Sequence, residues 1–224
     1  MSKVATLLLC IFAGACLAAE PGAGYELIQQ TKPEDQSEFF GGPHIDTVIE
    51  VYSKPAPEKF FGKSFKIVLS SLADPSRKEL LFEYERAAVA SLSPDGKWIV
   101  INDRPFRGEC NPRLFKKEAD LKFTEANNAN IRKKAIEFFL RYNKYPKKIG
   151  EHMLPAGACF VESVLWADDS KSLLLRLSKG QTGEPLWIDS WRCVYDLTTG
   201  KVSTDLDVLN RGAIQPGKYL APSH

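Results

Sequence analysis

One short pattern is written twice in this chain, 74 residues apart, as SLSPDGKWIVI (91–101) and LWADDSKSLLL (165–175). In each copy a strand-like run meets a tight polar turn and a second apolar run follows. Pro94 suits the opening of its turn because its φ is already fixed, and Gly96 suits the close because glycine tolerates positive φ. A chain that does this twice commits itself to antiparallel meanders. The predicted fold class is mainly β, with meander sheets and one inserted amphipathic helix.

The remaining strand signals agree with that class. Val48 and Val51 mark a strand over 46–52, which Pro55 and Pro57 are expected to break. Segments 65–72 and 78–84 pair across the turn formers Ala73-Asp74-Pro75-Ser76. The first repeat supplies strands at 87–92 and 98–102, with a further strand at 113–117. The second supplies 160–166 and 173–177. A long strand follows at 186–196, with Trp187, Trp191, Cys193 and Tyr195 on one face by alternation, and the last is read at 202–209. Between the repeats, Ile131, Ala135, Phe138, Phe139 and Tyr142 recur at helical spacing, predicting a helix over 125–142. Thr124 or Asn128 caps its start, and Pro146 stops its continuation. Residues 20–43, rich in Gly and Pro and without periodicity, read as a flexible leader. The β-rich domain is thus 44–224.

The N-terminus carries the clearest targeting signal. Lys3, the apolar run 4–12 and the small residues ending at Ala18-Ala19 form a secretory signal peptide, so residues 1–19 are expected to be removed. A bacterial lipoprotein is the alternative, with Cys16 lipidated after Gly14-Ala15. The protein is expected to be exported, to a periplasm or beyond the cell, with no transmembrane span. Processing leaves a net charge near +1, which argues against nucleic acid as a partner. The charge is uneven, however: residues 113–151 hold eleven Lys or Arg against five Asp or Glu, a local balance of +6. That stretch is either a solvated helix face or a surface for an anionic partner. Cys110, Cys159 and Cys193 remain in the domain, so one disulfide and one buried thiol are expected. His44, His152 and His224 stand at no ligand spacing to the cysteines, so neither metal nor cofactor is expected.

The segments SPDGKWIVI, WADDSKSLLL and CVYDLTTGKVSTDL (193–206) resemble blade hairpins of TolB-like and prolyl-oligopeptidase-type β-propellers. FKIVLSSLADPSRKELLFEYE (65–85) resembles an outer hairpin of a preceding blade. The resemblance spans about 110 residues and implies two to three blades, whereas a closed propeller takes at least about four. The catalytic residues of prolyl oligopeptidases belong to a hydrolase domain that this chain lacks.

In the blade reading, the turns at Asp95-Gly96 and Asp168-Asp169 lie at one end of the sheets. The connection 103–112 and the approach to Phe160 lie at the other. That second end gathers Arg104, Arg107 and Arg113, whose planar guanidinium groups are the candidate binding residues for a carboxylate or phosphate. In the same reading Cys110–Cys159 is the expected disulfide, at that end of neighbouring sheets, with Cys159–Cys193 as the competing bridge. No catalytic residue is assigned. Asp168 and Asp169 are adjacent and diverge, and Ser93 has no nucleophile-elbow context. The expected function is an exported binding or envelope-structural protein facing a protein or envelope partner. The alternative is a secreted hydrolase or enzyme accessory, which a pocket holding His44 or His152 beside a carboxylate would favour.

Overall fold

In each sheet the first four strands lie side by side in the order the chain makes them, as a meander. A computed structural model describes residues 21–32, 46–59, 61–105, 109–126, 130–154, 159–180 and 186–216. The first sheet runs β1 (Glu26–Thr31), β2 (Thr47–Pro55), β3 (Lys63–Ser71), β4 (Lys78–Tyr84). The second runs β5 (Ala88–Leu92), β6 (Trp98–Asp103), β7 (Asn111–Lys117), β8 (Phe123–Glu125). The third comprises β9 (Phe160–Trp166), β10 (Ser172–Lys179), β11 (Leu186–Asp196) and β12 (Val202–Ser203), and β13 (Ile214–Pro216) also pairs with β11. All the ladders between strands are antiparallel. Helix α1 (Ile131–Tyr142) and helix α2 (Lys147–Met153) fall between the second and third sheets, and α3 (Asp207–Asn210) follows β12.

The second sheet is the middle layer. One face of it, with Leu92, Ile99, Ile101 and Phe115, packs on Ile49, Val51, Ile67 and Leu69 of the first sheet. Its other face, with Val100 and Leu114, joins the core made by α1 and the third sheet. That double burial is why Ile99-Val100-Ile101 is a continuous apolar run rather than an alternation. β10 shows the contrast: Leu173, Leu175 and Leu177 are buried, and Leu174, Arg176 and Ser178 between them are only half-buried.

The two repeats fold alike down to single hydrogen bonds. Gly96 N–H donates to Ser93 O at 2.9 Å, and Ser170 N–H to Ala167 O at 2.9 Å. Lys97 and Lys171 each donate a backbone N–H to the aspartate two residues before, Asp95 at 3.0 Å and Asp169 at 2.9 Å. Gly96 (φ 68°) and Ser170 (φ 60°) hold the same left-handed position, which only the glycine takes without steric cost. The serine has a compensating bond, because its hydroxyl accepts the Asp95 N–H at 2.9 Å and ties the two turns together.

The structure departs from the sequence expectations where tertiary partners intervene. Glu26–Thr31 is an edge strand paired with β2, inside the segment expected to be a loose leader. The helix starts at Ile131 rather than 125, because Glu125 is held in the β7–β8 ladder and by Arg113. Asn130 is its N-cap, accepting the Lys133 N–H at 3.2 Å. The buried stripe of α1 contains Ile136 and Phe139, while Phe138 is only partly covered. On β11 the aromatic face is broken. Ser190 has a φ of 59°, and the pairing slips between Leu177↔Trp191 and Lys179↔Ile188. This bulge turns Ile188 inward beside Trp191, Cys193 and Tyr195, and leaves Trp187 exposed. After two residues of β12 the expected last strand gives way to the single turn α3.

Candidate functional site

The end of the sheets opposite the two turns is built by the connection from β6 to β7 meeting the start of β9. The Val161 N–H donates to Cys110 O at 3.3 Å, and Cys110 and Phe160 form a parallel bridge. Nearby, Asn102 acts as a substitute strand for the edge of β9, donating to Ser163 O and accepting Ser163 N–H, both at 2.8 Å. A side chain thus closes an edge that would otherwise lie open.

Arg104 and Arg113 both reach this end, but each guanidinium is engaged by carboxylates. Arg104 Nη2 donates to Glu162 Oε2 at 2.8 Å, and Arg176 Nε donates to Glu162 Oε1 at 2.7 Å. Arg113 Nε donates to Glu125 Oε1 at 2.7 Å, has Asp103 at 3.6 Å, and lies over the Phe82 ring at 4.6 Å. Arg107 lies outside the described residues. Glu162, Arg176 and Glu125 carried no signal in the sequence, because each becomes a partner only when separate strands are laid together.

Among the described residues, acids outnumber guanidinium groups at this end. Three guanidinium groups, Arg104, Arg113 and Arg176, face four carboxylates, Asp103, Glu109, Glu125 and Glu162. Burial pushes the Asp103 carboxyl above its ordinary value, and Arg113 only partly offsets this. Glu109 is buried, and its Oε1 accepts from Asn111 Nδ2 at 2.8 Å while its Oε2 has no partner among the described residues. Arg104 Nε is likewise buried without one. Among the described residues no group of three His, Cys, Asp or Glu is placed to hold a metal ion. His44 lies outside those residues, and His152 belongs to α2.

The expected Cys110–Cys159 bridge is corrected by the structure. All three thiols of the domain are free and buried. The segments do meet, but Cys110 pairs with Phe160, one residue out of register with Cys159. Alternation therefore sends the two side chains to opposite faces. Cys159 and Cys193 enter the α1 core, whereas Cys110 lies beside Arg104. Burial pushes the Cys110 thiol up to about 11 against the pull of Arg104, so it is no thiolate nucleophile at neutral pH. Burial raises Cys159 and Cys193 to about 12. The folded protein is expected to resist alkylation at Cys110, Cys159 and Cys193, and to be labelled at all three after unfolding without reductant. A linked peptide in the unreduced mass spectrum would contradict this.

Exposed apolar side chains recur on the first strand of every sheet. They are Leu27 and Ile28 on β1, Val89 on β5, and Val164 and Leu165 on β9. Each of these strands is also an edge of its sheet. β5 and β9 are brought together where Trp166 Nε1 donates to Ser91 Oγ at 3.1 Å. No helix among the described residues is long and apolar enough to cross a membrane.

No protein-family model and no curated protein matches this chain.

Proposed function

We propose that this chain is an exported binding or envelope-structural protein whose first strands meet a protein partner. Its three meander sheets are then blade-like units of the TolB-like kind. The observation that supports this is the repeated placement of exposed apolar residues on β1, β5 and β9. β1 and β5 combine an edge with exposed aliphatic side chains, which an extended partner segment uses through backbone pairing and alternate side-chain contacts. β9, whose edge Asn102 closes at Ser163, offers Val164 and Leu165 as side-chain contacts. The committed ion pairs of Arg104 and Arg113 make the charged end a structural clasp, leaving the first strands as the surface for binding. Export follows from the segment 1–19, with processing near Ala19 or lipid at Cys16.

The processed chain is used as bait on intact envelopes beside the double variant Val89→Asp/Leu165→Asp. The expected result is a partner retained by the parent and lost by the variant, with unchanged circular dichroism in both. A partner retained equally by the two would reject the first strands. Recovery of the chain from the cytoplasm with Met1 intact would reject export.

A further inference from the structure

We propose that the face formed by the end of α1, the start of α2 and the turn α3 docks on an anionic lipid surface. This rests on the preceding reading only in placing the chain beside a membrane, and it uses residues far from the first strands in sequence. Arg141, Lys144, Lys147 and Lys148 are exposed within eight residues, and Arg211 is exposed just beyond α3. Lys144, Lys147, Lys148 and Arg211 form no ion pair among the described residues, and Arg141 rests over the Phe138 ring at 5.7 Å.

The aliphatic part of the face is α3. Val208 is 77% exposed and Leu209 is 52% exposed, although they are neighbours in a helical turn with no buried residue. The turn is nevertheless pinned. Asn210 Oδ1 accepts Arg192 N–H at 2.6 Å, its Nδ2 donates to Arg192 O at 2.8 Å, and Tyr142 OH donates to Asp207 Oδ1 at 2.7 Å. That last bond brings α3 against the C-terminal turn of α1. It also engages the one acid of α3. Glu137 pairs with Lys133 at 3.9 Å, and Glu151 and Asp205 are the other acids of these segments.

Lys144 sharpens the case. It follows the C-cap of α1 with φ 56°, a left-handed position where glycine is the unstrained residue and a side chain is strained. A fixed aliphatic pair beside unpaired cations matches the interfacial zone of a bilayer, where apolar groups enter the headgroup boundary and cations meet phosphates. A soluble acidic partner would answer the cations and leave Val208 and Leu209 unused.

The exported chain is sedimented with vesicles of phosphatidylglycerol in phosphatidylcholine, and with phosphatidylcholine alone. Binding is expected only to the anionic vesicles, and it should weaken in high salt. Lys144→Gln, Lys147→Gln and Lys148→Gln should each lower it about fivefold. Val208→Ser/Leu209→Ser should lower it roughly tenfold. Lys144→Gly should raise stability yet weaken vesicle binding, a pairing that a purely structural lysine would not show. Val89→Asp/Leu165→Asp should bind vesicles as the parent does, which separates this surface from the first-strand surface. Equal binding to neutral vesicles, or full binding by a chain carrying Lys144→Gln, Lys147→Gln and Lys148→Gln together, would overturn the proposal. Loss on lysine replacement without any effect at Val208 and Leu209 would replace the lipid with a soluble polyanion.

Discussion

Phe139→Ala is expected to lower the free energy of unfolding by about 3–5 kcal/mol, the usual cost of deleting a fully enclosed ring. Phe139 is 0% exposed. Its ring meets Trp191 edge-on at 5.0 Å and stacks on Tyr145 at 5.6 Å, so the cavity left behind would face rigid aromatic walls. Those walls belong to β11 and to the segment leading into α2, and they cannot easily collapse into the space. Phe138, its neighbour, is only partly buried and lies against Tyr142 and Trp191, so Phe138→Ala should cost clearly less. Urea unfolding of the two variants measures the difference. Equal losses would mean that α1 is rotated from the orientation described above.

Lys78→Met should cost about 3 kcal/mol at neutral pH, because it strands a buried carboxylate without its countercharge. The Glu50 side chain is 4% exposed and that of Lys78 is 22% exposed, 2.8 Å apart, so solvent screens the pair little. Tyr52 OH, Ser70 Oγ and Gln30 Nε2 donate to the same carboxylate at 2.7, 3.1 and 3.1 Å. Burial pushes Glu50 up, but Lys78, Tyr52 and Ser70 together outweigh it and hold the carboxyl below its ordinary 4.5. Its contribution is therefore complete above about 4.5 and disappears as pH falls through the depressed value. For Lys78, burial lowers the ammonium and the bonds to Glu50 and Tyr52 raise it further, giving a net rise above 10.5. Its contribution is complete below that value and is lost only in stronger alkali. The deficit of Lys78→Met should thus be large at pH 7 and shrink as pH falls through the depressed Glu50 value, where the parent loses the pair as well. Denaturation curves at pH 7 and through the acid range check this, and a deficit that never shrinks would assign the loss to packing.

The connection 103–112 illustrates why a charged loop is hard to read from sequence. Arg104 and Arg113 stood out there as candidate anion ligands because their planar guanidinium groups gather at one end of the sheets. Their partners, Glu162 and Glu125, come 58 and 12 residues later. A guanidinium is free or committed according to what the neighbouring strand presents, and local spacing does not encode that. The cysteines repeat the lesson. Sequence placed Cys110 and Cys159 at one end of adjoining sheets, where they are, but a one-residue difference in register turned the thiols apart.

By itself the sequence determined the meander class, most of the strand positions, the two matched turns and the presence of one amphipathic helix. These follow from local physics: alternation, turn residues and a 3.6-residue stripe act over a few residues and need no distant partner. Only the tertiary structure decided which sheet is covered on both faces, that Glu26–Thr31 is a strand, and that Ser190 turns Trp187 out and Ile188 in. Each of those outcomes depends on the pairing and stacking of segments distant in the chain. An edge strand forms when β2 offers its open backbone, and a bulge is accommodated when β10 sets the register on either side of it.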